Sequence, residues 1–342
     1  MTLRSSAPSR RGLISAFTAV YLVWGSTYLA IAFAIDSMPP LIMIGSRFVV
    51  AGLLVYAWMS LRGKAQPTRR MWRNSAVVGT LTLGVGTGAV AWAEQWLASG
   101  VVALLVTSVP LWMVLLDWKW KGGLRPNRFV VAGLTLGFVG IVLLVNPAEL
   151  VQSMSSEAIA SLVVLVGVFS WSFGAILGRD AELPEHPLMS TATQMITGGS
   201  VLVVAGLLRG EAAGLDVAQF TAASWLAWSY LVVFGSIVAF SSFVWLMKNA
   251  PPGQVATYAY VNPIVAVFLG WMLADEYVGG RVLLAVVVLV TAVVLISRYG
   301  HGQVTRRPRR NWSRFLDAMA HSLDGPVNSA PLRLLNRERT TE

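Results

Sequence analysis

Residues 24–52 read WGSTYLAIAFAIDSMPPLIMIGSRFVVAG, and residues 171–199 read WSFGAILGRDAELPEHPLMSTATQMITGG. Each is an apolar run, a polar break that ends in Pro, and a second apolar run. Laid on one another at a constant offset, they pair Trp24 with Trp171, Pro40 with Pro187, Leu41 with Leu188 and Gly52 with Gly199, while Arg47 meets Gln194. From the third apolar run onward a slightly larger offset pairs Trp92 with Trp245, Gly100 with Gly253, Pro110 with Pro263 and Arg128 with Arg281. The added residues fall in the longer connector between the seventh and eighth runs. Punctuating residues that recur at only two offsets are the mark of an internal duplication.

The runs themselves set the fold class. A helix crossing about 30 Å of hydrocarbon needs about 20 largely apolar residues. Ten such runs lie near 15–35, 41–61, 74–94, 100–118, 128–145, 159–178, 188–208, 224–247, 254–273 and 281–297. The reading is an all-α polytopic membrane protein of ten transmembrane helices in two repeats of five. Five is odd, so the second repeat enters the membrane inverted. The boundaries that follow are an N-terminal segment 1–12, a first repeat 13–147, a second repeat 148–298 and a basic tail 299–342. Composition agrees, with 56% hydrophobic and 12% charged residues in 342, against about 25% charged in soluble domains. Long runs without period-two alternation speak against a membrane barrel, whose strands need only about 10 residues. The first run is longer than the roughly 7–15 residues of a signal-peptide core and is read as a retained helix.

The net charge of +10 would suggest a nucleic-acid partner in a soluble protein. Here its placement explains it. With the amino terminus in the cytoplasm, Arg4, Arg10, Arg11, Arg62, Lys64, Arg69, Arg70, Arg73, Lys119, Lys121, Arg125 and the Arg-rich tail all face inward. Arg209 and Arg281 face outward, and Arg47 lies within a run. That asymmetry predicts a multi-pass protein of the cytoplasmic membrane with both termini inside. The partners expected are therefore the lipid bilayer and a small-molecule substrate, not nucleic acid, with a homodimer left open. In the tail, Trp312, Phe315, Leu316, Met319 and Leu323 share one helical face, which suggests an interfacial amphipathic helix.

With no cysteine and only His186, His301 and His321, well separated in sequence, disulfides and thiolate catalysis are excluded. No metal site, catalytic residue or cofactor is expected. No Gly-x-x-x-x-Gly-Lys-[Ser/Thr] phosphate loop is present, and the Gly84, Gly86, Gly88 cluster lies inside a run, where it serves close helix packing.

Several stretches resemble the EamA family of drug/metabolite transporters: Val23–Tyr28 (VWGSTY), Pro39–Phe48 (PPLIMIGSRF), Ala93, Glu94 and Gln95, Phe169–Gly174 (FSWSFG), Phe234, Gly235 and Ser236, and Tyr258–Val267 (YAYVNPIVAV). The resemblance runs from about residue 13 to 298. It implies a ten-helix inverted-repeat carrier, not an enzyme, whose central cavity is lined by helices one to four and six to nine. It also implies export of amino acids, related metabolites or toxic small molecules. The family often carries Glu after helices four and nine; here Glu276 follows helix nine, but Gly123 holds the equivalent place after helix four.

The expected cavity residues are Trp24, Thr27, Tyr28, Arg47, Glu94, Ser108, Trp171, Gln194, Tyr258, Tyr260 and Asn262, with Pro110 and Pro263 as helix breakers. Arg47 is the cation inside a span, where an unpaired charge costs about 2.5 to 3.5 kcal/mol on insertion scales. It anchors a substrate carboxylate, or else forms a structural ion pair or carbonyl clamp. Glu94, near the end of helix three, suits proton or amine coupling, or is simply solvated. Trp24, Trp171, Trp92 and Trp245 are repeat mates suited to aromatic walls, whereas Trp72, Trp118 and Trp225 suit interfacial anchoring. Inverted-repeat carriers place their substrate near mid-membrane beside broken helices, which is the role given to Pro110 and Pro263. The rival functions are an uptake carrier, a membrane sensor or scaffold, and an intramembrane lipid-modifying enzyme. The last would need clustered acid-base residues that the runs lack.

Overall fold

The computed structural model describes residues 9–121, 127–145, 156–213, 215–250, 255–256 and 258–299. The chain divides into two units, Met1–Arg307 and Pro308–Glu342. The second unit lies outside the described residues, and with it the interfacial helix expected in the tail.

Among the described residues the regular structure is helical, without strands. In chain order the helices are α1 (Arg10–Ile35), α2 (Pro40–Leu61), α3 (Arg69–Ala93), α4 (Ser99–Lys119), α5 (Arg128–Val145), α6 (Ser156–Gly178), α7 (Pro187–Leu208), α8 (Ala222–Asn249), α9 (Tyr258–Leu273) and α10 (Gly280–Tyr299). All but α5, α9 and α10 are long and apolar enough to cross a membrane, and those three contribute shorter apolar helices, Arg128–Gly140, Val261–Leu273 and Gly280–Ala292.

Local chemistry sets where the helices begin. Pro40 and Pro187 occupy first helical positions, where a missing N–H costs nothing. Thr68 and Thr221 cap α3 and α8, accepting hydrogen bonds from Met71 N and Ser224 N at 3.2 and 3.1 Å, as N-cap hydroxyls do. The α3 helix therefore starts before the apolar run, on the Arg-rich turn at residues 69–73. The α4 helix is interrupted at Thr107 and Ser108, just ahead of Pro110. Both hydroxyls turn back onto the preceding turn, Ser108 Oγ donating to Leu105 O at 2.8 Å.

Three helices carry π-helical stretches that sequence reasoning did not anticipate: Ala19–Val23 in α1, Thr80–Thr87 in α3 and Leu231–Phe240 in α8. The last two coincide under the offset that relates the repeats. Such widened turns break the regular hydrogen-bond ladder and are frequent at functional sites.

Packing repeats the duplication. The α3 helix packs on α6 and α7 as α8 packs on α1 and α2; α4 packs on α6 as α9 packs on α1; and α2, α4 and α5 meet their own counterparts α7, α9 and α10. The α2–α7 crossing is the most extensive. A Cβ at Gly45 would sit 2.7 Å from the Val203 backbone nitrogen and 2.8 Å from the Gly199 carbonyl oxygen, so only glycine admits this approach.

Candidate functional site

A cavity opens where α1, α2, α3, α4, α6, α8 and α9 converge. Its empty space, including the part open to solvent, is about 670 Å³. Trp24, Thr27 and Tyr28 of α1, Arg47 of α2, Trp171 of α6 and Tyr258 of α9 all line it, so six of the residues expected from sequence share one space. Sequence reasoning did not name Thr87 or Phe240, and it named Phe48 only as the end of the Pro39–Phe48 stretch that carried the family resemblance. Gly235, also in the lining, falls within the Phe234–Ser236 stretch that carried the family resemblance.

The aromatic residues hold one another. The Trp24 ring lies 5.6 Å from Trp171 and 5.1 Å from Tyr258, both edge-on, and 5.1 Å from Phe243. These are favoured geometries for aromatic pairs. Trp24 is fixed further by its indole N–H, which donates to Gly235 O at 3.2 Å across to the π-helical stretch of α8. Thr27 Oγ1 donates to Trp24 O at 2.7 Å.

Arg47 is 4% exposed, and its Nε and Nη1 have no hydrogen-bond partner. Its guanidinium carbon lies 4.4 Å from the Phe48 ring centroid. Among the described residues no carboxylate lies within ion-pairing distance of it. Among the described residues Arg47 thus has no structural ion pair, and no carbonyl clamp forms through these two nitrogens. Glu94 follows the last residue of α3, 9% exposed, with both carboxylate oxygens unpartnered. Arg47 attracts it and Glu276 repels it electrostatically. Leaving either group buried and unpaired is costly unless something else meets it.

Of the other residues expected in the cavity, Glu94, Gln194, Ser108 and Asn262 lie outside its lining. Gln194 is buried against α3, its amide donating to Ser190 Oγ at 3.0 Å. Ser108 spends its hydroxyl on Leu105 O, although Val106 and Val109 on either side line the cavity. Asn262, with its amide nitrogen turned inward, donates to Tyr21 O at 2.9 Å and Tyr258 O at 3.1 Å. It thus ties α9 to the π-helical stretch of α1. The Tyr260 side chain lies outside those described. Pro263 stands inside α9 and Pro110 follows the α4 break.

Two carboxylates bridge the repeats near helix ends. Glu276 accepts from Ser99 N at 3.0 Å, Ser99 Oγ at 2.6 Å and Gly100 N at 3.2 Å, at the start of α4. Glu211, which sequence reasoning did not single out, accepts from Leu41 N at 3.3 Å and Ile42 N at 2.9 Å, at the start of α2. At the start of α7, His186 caps the helix through its Nδ1, which accepts from Leu188 N at 3.3 Å. Partial burial first, then the positive charges of Lys64 and Lys248, hold the His186 imidazole below the usual histidine range.

The model of the EamA-like transporter family matches the chain twice, over residues 10–146 and 158–298. The chain belongs to the EamA-like transporter family. The inner membrane transporter YedA of Escherichia coli strain K12 is 37% identical over 286 residues, covering 83% of this chain and 90% of that protein. A transporter of Archaeoglobus fulgidus is 26% identical, covering 83% of this chain and 98% of its own, and the protein PecM of Dickeya dadantii is 28% identical, covering 80% and 89%. A solved crystal structure shares the fold with a TM-score of 0.62 at 20% identity, covering 85% of this chain and 99% of that one. This EamA chain is thus a multi-pass membrane protein and a membrane transporter, and the duplication read from its sequence corresponds to the two family repeats.

Proposed function

We propose that the protein is a secondary carrier of the cytoplasmic membrane that exports a small amphipathic metabolite bearing a carboxylate, an amino acid or related compound, by alternating access. The observation that carries this reading is Arg47: a buried guanidinium with unpartnered nitrogens, lining a cavity walled by Trp24, Trp171 and Tyr258. A carboxylate arriving there would satisfy the orphaned donors in a bidentate pair, and the aromatic wall would take the apolar part of the molecule. Glu94 serves as the partner for a proton or an amine.

In this reading all ten helices cross the membrane, and the second repeat is inverted. Hydrogen bonds between the repeats support the inversion. The end of α1 meets the start of α8, where Ser37 Oγ donates to Ser224 Oγ at 2.9 Å and Thr221 N donates to Ser37 Oγ at 3.0 Å. The end of α6 meets the start of α3, where Asn74 Nδ2 donates to Glu182 O at 3.0 Å. In a chain that crosses and recrosses, α3 starts on the side where α1 starts, so α3 and α8 run in opposite directions. The inward excess of Lys and Arg supports cytoplasmic termini. One repeat then rocks against the other around the fixed cavity, with Pro110 and Pro263 marking where α4 and α9 bend.

The test compares a deletion strain with an overproducer across amino acids, their analogues, nucleosides and cationic toxicants. The expected result is tolerance of one carboxylate-bearing class in the overproducer alone, with lower cell content of that compound. Equal growth and equal content across the panel, in cells shown to hold folded protein, would overturn export.

A further inference from the structure

The two interrepeat carboxylates occupy a place that the duplication does not fill twice. Both α2 and α4 begin at the face where α1 and α3 end. At that face Glu211 and Glu276, which belong to the second repeat, accept five hydrogen bonds from the first: two from Leu41 N and Ile42 N, and three from Ser99 and Gly100. The offsets that relate the repeats place Lys64 opposite Glu211 and Gly123 opposite Glu276. Neither is a carboxylate, so neither position can repeat its counterpart's contact. The start of α7 is capped there by its own preceding residue, His186, and the repeats are joined by the half-exposed Arg70–Glu182 pair.

We propose that Glu211 and Glu276 are the latch of one gate, holding shut the face at the starts of α2 and α4, and that the missing counterparts bias the resting carrier to open at the opposite face. This rests on the alternating-access reading above. A carboxylate on helical N–H groups is a charge-assisted contact reinforced by the helix dipole, and each of these contacts joins the two bodies that must part when that face opens. The chain turns sharply to make the Glu276 contact. Asp275 takes a left-handed backbone with φ +51°, which few non-glycine residues adopt, and Glu276 N donates to Gly270 O at 3.1 Å. A Cβ at Gly270 would run into the Glu276 carboxylate, so the small residue keeps that carboxylate's seat free.

Since the chain has no cysteine, a single Thr87→Cys at the cavity wall reports from which side the cavity is reached. In the full-length protein, labelling by a membrane-impermeant thiol reagent is timed in right-side-out and inside-out vesicles. The parent Thr87→Cys protein should react mainly from the cytoplasmic side. Adding Glu276→Gln or Glu211→Gln should raise the outer-side rate roughly tenfold, the worth of one charge-assisted hydrogen bond, and lower the cytoplasmic rate. Each substitution tests the latch separately, so a folding failure of one leaves the other decisive. One-sided labelling of the parent that neither substitution shifts would overturn the latch alone, and so would a parent reached only from outside. Equal labelling of the parent from both sides would contradict alternating access itself.

Discussion

Arg47 on α2 and Gln194 on α7 hold the same place in the two repeats, and the molecule uses them in opposite ways. Arg47 lines the cavity with two orphaned nitrogens. Gln194 is sealed into helix packing, its amide spent on Ser190 Oγ. Both stand on helices that pack most extensively on each other. Duplication has preserved the scaffold and divided the chemistry: one copy leaves a polar group unpartnered at the cavity, and the other spends its own on packing.

The sharpest way to break that contrast is to remove each side chain. Arg47→Ala should lower transport by about a hundredfold or more, the scale of losing a buried charged contact, while Gln194→Ala should leave it within a few-fold. Labelled-substrate efflux from reconstituted vesicles measures both. Glu94→Gln keeps shape and removes the charge; it should cut efflux by at least roughly tenfold with unchanged protein in the membrane, and full activity would leave Arg47 as the only charged group in the mechanism.

The scaffold half of the contrast is tested at the α2–α7 crossing. Gly45→Val should destabilise the detergent-solubilised protein by about 1–3 kcal/mol or more, the usual scale of overpacking, because the Gly199 carbonyl and the Val203 backbone cannot yield. Thermal melting with the change at Gly63 as a control, where a Cβ would meet nothing within 4 Å, separates crowding from loss of glycine itself. Gly63 has φ +68°, so its Asn variant is the suitable control.

The smallest effect concerns the cap of α7. His186 accepts a hydrogen bond only when its Nδ1 is unprotonated, and burial and its lysine neighbours favour that form. Its pKa is lower folded than unfolded. The stabilisation is therefore complete above the unfolded value of about 6.5 and fades as the pH falls through the folded one. Melting temperatures of the parent should drop on acidification in that window, by an amount worth less than about 1 kcal/mol. His186→Asn, which caps without titrating, should flatten that part of the curve.

The sequence made the helices and the duplication legible because both rest on periodic or repeated features: apolar runs of membrane length, and Trp, Pro and Gly recurring at fixed offsets. It also exposed Arg47, since one cation in an apolar run stands out. What it hid has no such signal. The π-helical stretches in α1, α3 and α8 were marked by no motif that sequence reasoning used. The Glu211 and Glu276 contacts join residues about 170 positions apart, and nothing near either residue announces its partner. Repeat alignment also gave Gln194 the environment of Arg47, because it fixes a position along a helix but not whether a neighbour such as Ser190 claims the side chain.

Blocking the substrate's carboxylate shows whether Arg47 meets one. The measurement is competition for export in reconstituted vesicles by the free acid and by its amide, for the unmodified protein and for Arg47→Ala. The unmodified protein should favour the acid by about tenfold or more, and Arg47→Ala should no longer distinguish the two. Equal competition by acid and amide in the unmodified protein would contradict a carboxylate at Arg47.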